Sequence, residues 1–201
     1  MYERDPAPHG IEMSADAAQL WGDAEVRSVD RTSPRALRQL AYEAGMVCRT
    51  DGGYDEASYP YHSADERREL APLPLSQIQP IGADPYRMSL NGFGRAYLLR
   101  EGNMVMSFAM NWPEYATAQI EWTAPGDYEL IKVAPTLSCS VGPIWTAASS
   151  RRRDLGRRLL DAIAADPNRY PGPLSVLLPF SDAGAALFRA AWGDAPLYAR
   201  S

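Results

Sequence analysis

The chain has 201 residues, 46% of them hydrophobic and 22% charged, which fits one folded domain and excludes wholesale disorder or a fibrous design. Twenty lysines and arginines against 25 acids leave a net charge of -5, which argues against a nucleic-acid binder relying on overall charge. Cys48, Cys139, His9 and His62 are too few and too scattered for a disulfide framework or a finger-type zinc site, so no metal is expected and a reducing cytoplasm fits.

Residues 1–20 open on MYERDPAPHG, without an apolar stretch, and read as a flexible segment ahead of a single domain over 21–201. No window reaches the ~18 apolar residues of a membrane span, so no membrane association is expected. Ala24–Val29 reads as a strand. Ser33-Pro34 followed by Ala36, Leu37, Leu40, Ala41 and Ala44 predicts a helix capped by Ser33 and stopped by Gly45. Ser63 and Glu66 have capping-box spacing and predict a second, shorter helix.

Arg95–Arg100 and Met104–Met110 flank Glu101-Gly102-Asn103 and predict a hairpin. Tyr115–Trp122, Tyr128–Val133 and Cys139–Thr146 are further strands, mostly joined by short connections, as in an antiparallel sheet. The grammar then alternates. A helix over about 153–165, with Leu155, Leu159 and Ile163 on one face, stops at Asp166-Pro167. A strand at Leu174–Phe180, a helix over 182–192 between Ser181 and Gly193, and an edge strand at Pro196–Arg200 complete an α+β pattern with helices on a mixed central sheet.

Charge is uneven: residues 1–70 hold 14 acids and 8 bases, residues 71–201 hold 11 and 12. Lys132 is the only lysine beside 19 arginines, a GC-rich coding bias that suggests a bacterial source. The most informative stretch is IWTAASSRRRDLGRRLLDAIAA, residues 144–165: a strand end, a small-residue turn, five arginines within eight positions, then an amphipathic helix. A strand feeding a helix N-terminus through such a turn aims unpaired backbone N–H groups and the helix dipole at one place, which suits a phosphate. Cations in a first helical turn oppose the dipole unless an anion sits among them.

These residues resemble a family. Arg151-x-x-Asp154-x-Gly156 is similar to the acetyl-CoA pyrophosphate signature of the GNAT N-acetyltransferases, Arg/Gln-x-x-Gly-x-Gly/Ala, and lies between a strand and a helix as it does there. Ser181–Gly193, SDAGAALFRAAWG, is similar to that family's last helix motif, and the hairpin over 95–110 suits its second and third strands. Within the superfamily, Ile144-Trp145 with Arg151-Arg152, and Phe180-Ser181-Asp182 with Gly184 and Leu187-Phe188, look most like the cohesin acetyltransferases, although the zinc-finger segment of that group is absent.

The resemblance implies a GNAT fold and transfer of acetyl from acetyl-CoA to an amine of a small molecule or protein, with a homodimer left open. It implies coenzyme contacts at Ile144, Trp145 and Thr146, at the turn Arg151, Arg152, Arg153, Asp154, Leu155, Gly156 and Arg157, and at Phe188. Asp182 is the carboxylate it singles out for the acceptor amine; Glu121 and Glu129 are reserve bases on strands. The group's active-site serine falls on Gly142, and Ser140, two residues away on the same strand face, is its stand-in. Asp154 replaces a glycine, Ala183 a proline, and Phe188 a tyrosine that many members use as general acid. Tyr54, Tyr59, Tyr61, Tyr86 and Trp112 fall where the family surrounds its acceptor. The alternative is a GNAT-fold acyl-CoA-binding protein that is inactive or repurposed.

Overall fold

The computed structural model describes residues 9–30, 32–52, 95–124, 127–178 and 181–200. The helix expected from Ser63, the strand end at Phe180 and the aromatics Tyr54, Tyr59, Tyr61 and Tyr86 lie outside these residues. The described elements, in chain order, are β1 (Ile11–Glu12), α1 (Ala15–Trp21), β2 (Val26–Val29), α2 (Arg35–Gly52), β3 (Arg95–Glu101), β4 (Met104–Ala124), β5 (Asp127–Thr146), α3 (Leu155–Ala165), β6 (Leu174–Leu177), α4 (Asp182–Trp192) and β7 (Leu197–Arg200). They form a mixed sheet in the order β2-β3-β4-β5-β6-β7, antiparallel up to β5 and parallel from β5 to β7.

The expected flexible lead-in is structured where it is described. Ile11 and Glu12 pair with Val105 and Met104, Ser14 accepts the Ala17 N–H to cap α1, and Trp21 is fully buried with its indole N–H on the Ala24 carbonyl. Gly45 does not stop α2. The buried stripe Leu37, Leu40, Ala41, Ala44 runs on to Cys48, and that burial outweighs the ~1 kcal/mol a mid-helix glycine costs. Ser33 serves the turn before α2 instead of capping it: its hydroxyl accepts the Asp30 N–H, and the Pro34 carbonyl takes the first helical bond, from Arg38.

Met104–Met110 and Tyr115–Trp122 are one strand, as are Tyr128–Val133 and Cys139–Thr146. Proline concealed this. Pro113 lies beyond the last β3 partner, Asn111, and before the first β7 partner, Ala118, so its missing N–H breaks no ladder on that side. Pro135 and Pro143 sit where the β4–β5 register shifts. Pro196–Arg200, expected at an edge, becomes β7 at Leu197–Arg200 with partners on both sides, parallel to β6 and antiparallel to Ala118–Ile120, so β4, β5, β6 and β7 close on one another.

Cross-strand partners share a face, which locates the helices. Leu98, Phe108 and Trp145 are in register, and Trp145 donates its indole N–H to Asp51 near the end of α2 (2.8 Å). Tyr97, Ala109 and Ile144 occupy the opposite face, and the Tyr97 hydroxyl donates to Asp166 at the end of α3 (2.9 Å). The two helices therefore cover opposite faces of one sheet.

The α3 side is fixed by a buried polar network. Tyr97 also accepts from the Asn111 amide (3.2 Å), and Arg95 lies between Asp166 and Asp30. Burial, then the Asp166 carboxylate, push the Tyr97 hydroxyl far above its ordinary pKa. Burial alone would raise Asp30, but the Thr32 and Ser33 hydrogen bonds and the Arg95 guanidinium outweigh it and hold the carboxyl low. Tyr97→Phe removes one partner from both Asn111 and Asp166, so a loss of about 1–3 kcal/mol is expected in urea unfolding, with no change in slope.

Candidate functional site

Parallel pairing of β5 with β6 covers Cys139, Ser140 and Val141 against Leu174, Ser175 and Val176, and ends there. Beyond that point β5 continues to Thr146 alongside β4 alone, with a register shift at Gly142-Pro143, so a gap opens on its far side among the described residues. The Ala147 N–H donates to the Met106 carbonyl (2.9 Å), which turns the peptide groups of Trp145 toward β4. By alternation, the N–H groups of Ile144 and Thr146 point into the gap.

The turn after β5 curls back on the same place. A 3-10 turn at Ala148–Ser150 leads into Arg152 and Asp154, both at φ 65° and the only non-glycine residues with positive φ among those described. Asp154 takes the left-handed conformation at the position where the family signature has glycine, so the backbone path survives the substitution. Its side chain makes no capping bond; its carbonyl accepts from Arg158, leaving the N–H groups of Leu155, Gly156 and Arg157 at the mouth of α3 without intrahelical partners. Left-handed residues beside a helix start gather N–H groups into an anion-sized concavity.

The five arginines do not act as one cluster. Arg153 makes a bidentate pair with Glu101 (2.8 and 3.0 Å), Arg158 pairs with Glu25, and Arg157 faces Asp161 one turn on (3.9 Å). Arg151 donates to the Thr146 carbonyl (3.3 Å), across the base of the turn. Arg152, exposed, is left with its charge uncommitted among the described residues.

Trp145 is buried against α2 through Asp51, so its backbone, not its ring, borders the gap. Ile144 and Thr146 are half-buried, with the Thr146 hydroxyl on Ser107 (2.9 Å). Gly156 faces Leu187 of α4, whose methyl would meet an added Cβ at 3.1 Å, so α3 and α4 approach closely here. Phe188 is buried against Trp192, ring centroids 5.6 Å apart. Asp182 is exposed in the first turn of α4, where Ser181 caps by accepting the Gly184 N–H (3.1 Å).

The two reserve carboxylates lie on the far part of the hairpin. Glu121 and Glu129 are direct cross-strand partners near the tip of the β4–β5 hairpin, exposed to solvent. About ten residues, roughly 30 Å of strand contour, separate Glu121 from the opening at Asn111. Cys139 is wholly buried, and burial raises its thiol pKa.

Ser140 is buried, pairs with Trp112 and Ser175, and has no hydrogen-bond partner on its hydroxyl among the described residues. Gly142 lies under the Trp112 ring, which occupies the space a Cβ would need. A residue that sequence reasoning missed is Glu114 on β4, whose cross-strand partner is Ser138 and whose carboxylate pairs with Arg200 of β7. The described residues contain no group of three potential metal ligands.

No protein-family model and no curated protein matches this sequence. Solved structures do. The xEco2 acetyltransferase domain bound to a K105-CoA conjugate superposes with a TM-score of 0.57 at 13% identity, covering 88% of this chain and 91% of that one. A second structure of that domain gives 0.56 at 12%, covering 88% and 89%. The fold is that of the GNAT acetyltransferases.

Proposed function

We propose that the chain is an acetyl-CoA-dependent N-acetyltransferase acting on an amine of a small molecule or protein in a reducing cytoplasm. The observation that carries this reading is the junction of the β5–β6 gap with the left-handed turn at the start of α3. One element offers N–H groups of Ile144 and Thr146 to a thioester carbonyl; the other offers those of Leu155, Gly156 and Arg157 to a pyrophosphate. The amine attacks the thioester carbon, and the developing oxyanion is held by the β5 donors. Phe188 cannot protonate the departing thiolate, so that proton comes from solvent. The buried free thiols Cys48 and Cys139 support the reducing compartment. The xEco2 domain, which has this fold, is bound to a CoA conjugate.

Acetyl-CoA with a panel of amines, followed by release of free thiol, tests the activity; coenzyme binding without thiol release for any amine would show a binding protein instead. Calorimetry tests the cradle. Arg152→Gln should weaken CoA binding about 5- to 30-fold, the strength of one charge-assisted contact, and added salt should weaken it further. Arg158→Gln, which removes a charge already paired with Glu25, should leave affinity within about twofold. Asp154→Gly relieves a left-handed non-glycine residue and removes a negative charge next to the proposed phosphate cradle, so affinity should rise severalfold. Equal losses for Arg152 and Arg158 would place the coenzyme elsewhere.

A further inference from the structure

The donors of the gap depend on how one peptide is held. Pro143 has no N–H to give to β4, β6 has already left β5 at Val141, and beyond Thr146 the chain bends into the 3-10 turn. The peptide between Trp145 and Thr146 therefore lies near a free strand end, held from the β4 side alone among the described residues. Ser107 supplies a second bond there. It is wholly buried on β4, and its hydroxyl donates to the Trp145 carbonyl (2.7 Å). A peptide is planar and trans, so a carbonyl held toward β4 sends the N–H of the same peptide, that of Thr146, the other way, into the gap.

The bonds have a direction. The one Ser107 hydroxyl hydrogen is spent on the carbonyl, so in its contact with the Thr146 hydroxyl (2.9 Å) it is Thr146 that donates. A chain thus runs from the Thr146 hydroxyl through Ser107 to the Trp145 carbonyl and ends on the Thr146 N–H. Each bond in such a chain strengthens the next, by about 10–30%. Ser107 and Thr146 are cross-strand partners, two residues along from Ala109 and Ile144, so the pair sits on the face covered by α3. The strand neighbours Met106, Phe108 and Ala109 are buried and apolar, so packing alone does not call for a hydroxyl at this position.

We propose that Ser107 is a positioning residue for acetyl transfer: through the Trp145 carbonyl it orients and strengthens the Thr146 N–H that polarises the thioester. This rests on the N-acetyltransferase reading. Ser107 acts through one peptide group on the carbonyl oxygen, where negative charge grows as the amine attacks. A small rotation of that peptide misaims the donor, which slows the chemical step while the pyrophosphate cradle keeps its hold on the coenzyme.

The test reads polarisation directly as well as turnover. The probe is acetyl-CoA isotope-labelled at the thioester carbonyl, bound to the full chain and followed by difference infrared spectroscopy against the unlabelled compound. Its carbonyl stretch should move to lower wavenumber on binding. In Ser107→Ala that shift should shrink by about a third. Ser107→Cys, which keeps the volume and offers only a weak donor, should fall between. Thr146→Val, which removes the far end of the chain and leaves the Ser107 bond in place, should reduce the shift less than Ser107→Ala does. With the best amine of the panel, Ser107→Ala should lower kcat about 3- to 10-fold, with KM for acetyl-CoA and calorimetric CoA affinity within about twofold. A merely structural serine would move melting temperature and leave the carbonyl stretch where it was. A shift unchanged in folded Ser107→Ala and Ser107→Cys chains, or a loss of CoA affinity as large as the loss of kcat, would overturn the positioning role while leaving the coenzyme site intact. Failure of acetyl-CoA to bind the unaltered chain would overturn the coenzyme reading and this role with it.

Discussion

Gly142→Ser, the change that restores the serine of the similar cohesin acetyltransferases, should destabilise this protein by about 3 kcal/mol or more and raise no activity. The Trp112 ring already fills the volume where the new side chain must go. Trp112 is itself buried on a strand locked to β5 through Ser140 and Cys139, so it has little room to step aside. Overpacking normally costs about 1–3 kcal/mol, and a clash with a rigid aromatic belongs at the upper end. Thermal and urea unfolding of the variant measure the loss. Gly142→Ser with Trp112→Ala should regain part of it, because the double change exchanges one occupant for another; strict additivity would show that the two side chains do not compete.

That position shows what the sequence carries and what it withholds. The strand, turn and helix around 144–165 are legible because each signal is local: apolar strand, small turn residues, periodic helix. The space over Gly142 is not local, since it is filled from another strand by Trp112, and only the β4–β5 register reveals it. The arginines erred for the same reason. Their spacing predicts a basic cluster, but Glu101 and Glu25, far away in sequence, neutralise two of them. Glu114 was overlooked because Trp112-Pro113-Glu114 reads as a break between strands. The proline is tolerated where neither β3 nor β7 reaches β4. Where Glu121 and Glu129 lie along the hairpin is not legible either, because two long strands, split into four, hide how far it extends.

Asp182→Asn should lower turnover roughly 10- to 1000-fold with coenzyme affinity and melting temperature little changed, the range of a general-base or positioning contribution. The argument starts from what the side chain is not needed for. Asp182 is exposed, the helix is capped by Ser181, and no ion pair holds the carboxylate among the described residues, so the fold loses little with it. An exposed first-turn acid contributes ~0.3–1 kcal/mol through the helix dipole. Its place in the chain is more telling, because it follows the short strand β6, which leaves β5 at Val141 and Val176 where the gap begins. The reading that assigns Asp182 to the acceptor puts its carboxylate beside the amine, where it takes or relays the proton that must leave before nitrogen can attack. Its loss should then appear in kcat, with KM for the amine changed less. A stability loss at Asp182 with turnover intact would leave it a helix-terminal charge only.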